Sequence, residues 1–105
     1  ISKKDWKLFR EKLSGWQENY MESLVKEYAN FLNDDKKPAS EKFWELEKQI
    51  KEDKHHPGVI MEMSKSEVIW DIVRLIRLKV IAYDDLSEFS GELRQEVKRI
   101  LEMNR

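Results

Sequence analysis

SKSEVIWDIVRLIRLKVI, residues 64–81, is the most apolar stretch of a 105-residue chain in which 39% of the residues are charged. Ser64 followed three positions later by Glu67 is a capping-box pattern, which predicts that a helix opens there. At about 100° per residue, Val68, Ile69, Ile72, Val73, Leu75, Ile76 and Val80 share one broad arc, and Glu67, Asp71, Arg74 and Arg77 share the other. Arg74 and Arg77 rule out a transmembrane reading. A bilayer span needs about 20 mostly apolar residues, and each central charge costs roughly 2.5–3.5 kcal/mol. The segment is therefore expected to form the central helix, about 64–79, of the chain's own core, which leaves Trp70 on the charged side near Arg74.

Outward from this helix the whole chain reads as all-α. Three Gly, two Pro and the lack of alternating β-branched runs predict a compact single-domain bundle of four or five helices over residues 1–105. Trp6, Phe9, Leu13, Trp16, Tyr20, Leu24, Tyr28 and Phe31 recur every three or four residues as one helical stripe. Ser14-Gly15-Trp16-Gln17 looks like a second capping box; a bent long helix or two helices with a tight joint would satisfy the pattern, and two helices are the leading expectation. Asn33 to Pro38 is a polar turn, after which Ser40 is expected to cap a peripheral helix bearing Phe43, Leu46 and Ile50, with Trp44 to one side. His55-His56-Pro57-Gly58 ends that helix, and Val59 to Met63 leads in extended form to Ser64. Asp84 and Asp85 suit the start of a short helical turn, and Ser90 suits the start of a last helix carrying Leu93, Val97 and Ile100 in line with Phe89. Lys98, Arg99 and Arg105 fall toward the favourable end of its dipole.

Composition excludes more function than it suggests. There are no cysteines, so disulfides, thiolate metal sites and cysteine nucleophiles are absent, as suits a reducing, cytoplasmic setting. Twenty Lys and Arg are interspersed with twenty-one Asp and Glu, which predicts no strong general attraction for nucleic acid or anionic lipid. The sequence begins at Ile1 rather than Met, as expected of a trimmed or processed chain, and export stays open if a leader has been cut away. His55 and His56 are adjacent before a proline and lack a His-x-x-x-His partner, so a structural role or a solvated turn is expected rather than a metal site. Asp84, Asp85, Glu88 and Glu92 are the densest acidic patch, but they lack the ligand ladder and sixth-position Gly of a calcium loop. No motif supplies a nucleophile, and no enzyme, cofactor or metal is expected.

Two binding readings remain. Trp70 to Ser90 can be read as a helix-turn-helix, with Arg94, Lys98 and Arg99 available to phosphate, but Glu92 and Glu96 dilute that field and disfavour nucleic acid. The leading expectation is a non-enzymatic protein–protein interaction or regulatory module, binding a protein partner or itself. Its possible partner surface is Trp44, Trp70, Arg74 and Leu78, the residues left off the obvious apolar faces. For Trp70 itself, packing within the chain is expected first, under Arg74 or beneath Met61 and Met63.

KKDWKLFREKLSGWQENYM (3–21) and DIVRLIRLKVIAYDDLSEFSGEL (71–93) resemble a group of small, uncharacterised all-helical bacterial proteins. The resemblance covers nearly the whole chain and implies no catalytic residue. Some such proteins carry automated transporter labels, which this chain does not support because it has no bilayer-spanning segment. Similar sequences tend to carry Pro or Gly after the positions of Leu13 and Leu78, where this chain has Ser14-Gly15 and Lys79.

Overall fold

In a computed structural model that describes residues 1–103, the chain is all-α. Its helices are α1 (Lys3–Leu32), α2 (Ala39–Asp53), α3 (Val68–Arg77) and α4 (Gly91–Met103), with 3-10 turns at Lys65–Glu67 and Tyr83–Leu86. Arg105 lies outside the described residues. No helix is long and apolar enough to cross a membrane among the residues described.

Contrary to the expected joint at Ser14-Gly15, α1 is one helix of 30 residues. Its stripe stays in phase through this point, so Phe9 and Leu13 on one side and Leu24 on the other are buried by the same helical register. A mid-helix Gly is unfavourable by about 0.5–1 kcal/mol relative to Ala, less than the burial energy of a single large apolar side chain. Thirty residues at 1.5 Å each make a rod of about 45 Å. This rod sets the long dimension of a molecule measuring 52 × 29 × 20 Å.

The first half of α1 belongs to the bundle. Phe9 and Leu13 join Val68, Ile72 and Leu75 of α3, Val97 and Ile100 of α4, and Leu86 and Phe89 from the connection between them in one buried cluster. The α3 and α4 helices run broadly the same way. Ile69 shares a cavity with Leu93, and eight residues further along α3 the Arg77 guanidinium donates to the Ile100 carbonyl at 3.4 Å. The chain must therefore return between them, and it does so through a left-handed residue. Lys79 has φ 62°, its amide donates to Ile76 O at 3.0 Å, and the Val80 amide donates to Leu75 O at 2.9 Å. That is the paired bonding of a Schellman C-cap.

Two of the expected caps are also displaced. Pro38, with φ −62° and ψ 151°, holds the N-cap of α2 and accepts from the Lys42 amide, so Ser40 falls inside the first turn. Ser64 makes no side-chain cap. Its carbonyl accepts from the Glu67 amide in a 3-10 turn, and α3 proper begins at Val68. By contrast the Asp85 carboxylate accepts from the Ala82 amide at 2.7 Å, and Ser90 Oγ accepts from the Leu93 amide at 3.2 Å, as their positions predict.

The second half of α1 leaves the bundle and pairs with α2, forming an αα-hairpin that projects from it. The radius of gyration, 16.9 Å, consequently exceeds the roughly 13 Å of a near-spherical domain of this length. An Ala at Gly15 would meet nothing within 4 Å. Gly15→Ala should therefore raise stability by about 0.5–1 kcal/mol in urea unfolding, and a loss would show that the backbone there is not helical.

Candidate interaction surface

The hairpin is anchored where α2 ends. Gly58 lies flat against the Tyr20 ring, so close that a Cβ would sit 2.2 Å from a ring carbon. Tyr20 also stacks on His56 with ring centroids 4.5 Å apart and planes inclined by 6°. His56 Nδ1 accepts from the Gly58 amide at 3.0 Å, and Gln17 Nε2 donates to the Pro57 carbonyl at 3.0 Å. His56 is thus a structural group, whereas His55 is exposed. Burial lowers the His56 pKa below its ordinary value; Asp53 opposes this and the Arg74 charge adds to it. One level along, the Tyr28 hydroxyl donates to Asp53, whose other oxygen accepts from Gln49 at 3.0 Å. Burial first, then this bond and the carboxylate's charge, push the Tyr28 pKa up.

Beyond this anchor, α2 buries no side chain. Phe43 is 62% exposed and Trp44 64%, packed edge to face with centroids 4.9 Å apart. Met21, Leu24 and Val25 of α1 line a groove of about 220 Å³ with Ile50 of α2 and Val59. Two helical turns, seven residues, carry this face from Val25 to Leu32 and from Ile50 back to Phe43, and all four side chains are exposed. The result is one apolar face contributed by both helices.

The four residues expected to form a partner surface do not come together as one. Trp70, Arg74 and Leu78 line a shallow cavity of about 560 Å³ on α3 with Val73 and Arg77. Trp44 belongs to the hairpin. The expected internal packing of Trp70 is not found, since it is 54% exposed and Met63 is exposed as well. Nor does Arg74 cover it: the cation–π contacts among the described residues are Arg10 on Trp6 and Lys37 on Phe31. The acidic patch is dispersed into structural tasks, with Asp85 capping a turn and Glu88 pairing with Lys12 at 2.8 Å. Among the described residues no three His, Asp or Glu side chains are grouped to hold a metal ion.

Sequence reasoning missed Asp5, which is 3% exposed. Its Oδ2 accepts from Ser90 Oγ at 2.6 Å and its Oδ1 from the Ser90 amide at 3.0 Å, while its own amide donates to Ser2 Oγ at 3.1 Å. The carboxylate thus sits at the N-terminal ends of both α1 and α4, where both dipoles favour negative charge. Burial pushes the Asp5 pKa up, but the two bonds from Ser90 and lesser help from Ser2 and Lys4 outweigh it, and the net direction is down. The legible signal was Ser2-Lys3-Lys4-Asp5, a Ser followed three residues later by an acid. Comparison with protein-family models, curated proteins and solved structures returned no match.

Two pH effects follow from these groups. Asp5 has a depressed folded pKa, so its stabilisation is complete above the unfolded value near 3.8 and is lost as pH falls through the folded one. Asp5→Ala should remove about 1–3 kcal/mol at neutral pH by stripping the Ser90 amide and hydroxyl of their acceptor, and should flatten the acid limb of the stability curve. His56 behaves in the same sense higher up. Its contribution is intact above its ordinary value near 6.5 and is lost as pH falls through the lower folded value. Imidazole NMR titration should place the His56 pKa below its ordinary value near 6.5; a higher value would contradict the burial of its ring against Tyr20.

Proposed function

We propose that the protein is a non-enzymatic interaction module whose binding element is the projecting α1–α2 hairpin. The observation that carries this reading is that α2 buries none of its side chains yet carries Phe43, Trp44 and Ile50, all exposed. An amphipathic helix is held in water by burying its apolar face, and here Leu46 is half-buried while Phe43, Trp44 and Ile50 stay exposed. Aromatic side chains that stay exposed on a rigid helix are effective anchors, since they bury large areas at small entropic loss. The Trp70–Leu78 cavity on α3 is a second exposed surface, and it carries cationic Arg74 and Arg77.

Nucleic-acid recognition draws less support. After α3 comes only a four-residue 3-10 turn, and the N-terminus of α4 is already occupied by Asp5. The resemblance of residues 3–21 and 71–93 supports a place among small bacterial helical proteins, and the absence of cysteine supports a cytoplasmic setting.

A photoreactive amino acid at Phe43 should give a discrete cross-linked product in extracts of the cell that makes the protein. The same group at Glu52, nine residues away and so on the opposite side of α2, should give none. Equal, diffuse labelling at both positions would overturn the reading.

A further inference from the structure

We propose that the apolar face of the hairpin is covered by the same face of a second copy, with α1 of each copy lying on α2 of the other to complete a four-helix bundle. This rests on the reading of the hairpin as the binding element and names its occupant. Two antiparallel amphipathic helices with one unfilled side are half of such a bundle, and a twofold axis along the hairpin supplies the other half.

The charges on the two edges of the face favour a second copy in this alignment. Lys54 lines the same groove as Met21 and Leu24, and helical spacing puts it level with Glu22, which pairs with Lys26 at 3.7 Å on the opposite edge. Rotation about the hairpin axis therefore sets Glu22 of each copy beside Lys54 of the other, twice per dimer. A net charge of −1 adds little general repulsion between copies.

Along α1 the bundle leaves this side open. Ser14 lies eleven residues, about three turns, before Val25, and Lys7 lies two turns before Ser14. Both are exposed, so this side of α1 is open along its length. The area sets the strength. Fifteen residues of α2 span about 22 Å, and two helices side by side span about 20 Å, giving on the order of 400 Å² per copy. That is about half of a standard interface, which predicts a reversible dimer rather than a permanent one.

Sedimentation of the full chain over a wide concentration range should show a monomer passing into a dimer. Val25→Glu and Phe43→Glu, both at exposed positions, should each leave a monomer with unchanged helicity by circular dichroism. Glu22→Lys or Lys54→Glu alone should weaken dimerisation a few-fold, and the two together should restore it. A double variant as weak as the single ones would overturn the α1-on-α2 alignment. A dimer that survives Phe43→Glu but is lost with Trp70→Glu would place the interface on α3 and overturn the proposal. A monomer at every concentration would also overturn it, and if Phe43 still cross-links to a different chain, the interaction-module reading survives while the second copy does not.

Discussion

The layout of the molecule depends on the phase of a single apolar stripe. Because Phe9, Leu13, Trp16, Tyr20, Leu24 and Tyr28 keep helical register across Ser14-Gly15, one rod can serve two packing environments. At its first half the stripe meets α3, α4 and the segment between them. At its second half it meets α2 and the segment that follows it, His56 to Val59. A break at Gly15 would uncouple the two, and the direction of the hairpin would then depend on a joint. A continuous helix instead fixes that direction from the position of Phe9 and Leu13 in the core.

Sequence periodicity made much of this legible. The buried positions of α3, Val68, Ile72, Val73 and Leu75, all fall on the arc assigned from spacing, and the all-α architecture with a polar turn before Pro38 is present. What failed was the reading of caps. Ser14, Ser40 and Ser64 all match a local pattern, but a Ser can serve as a cap only where the backbone leaves the helix. In α1 the stripe keeps the backbone helical, at α2 the fixed φ of Pro38 takes the position first, and before α3 a 3-10 turn intervenes. Asp5 was missed for another reason. Its partner is 85 residues away, and no local spacing encodes that distance.

The candidate surface was legible only in part. Trp44 and Trp70 stood off the apolar arcs and are exposed, Trp70 against the internal packing expected of it, and they lie on different elements, α2 and α3. Val25, Leu32 and Phe43 were missed because each sits close to a stripe that looks core-facing. Whether such a stripe is covered depends on how many elements surround it. Around the first half of α1 there are two helices and a connection; around the second half there is one helix, too few to enclose both faces of a hairpin.

The tie between Asp5 and Ser90 also orders the events of folding. Contacts within the hairpin join residues about 25 apart, such as Tyr28 and Asp53, whereas Asp5 waits for a residue 85 positions on. Loop closure favours the nearer pairing, so the hairpin can form while Phe9 and Leu13 still lack the side chains of α3 and α4 that will bury them. During synthesis the nascent chain therefore carries two unsatisfied greasy patches at once, one temporary and one that remains in the finished protein.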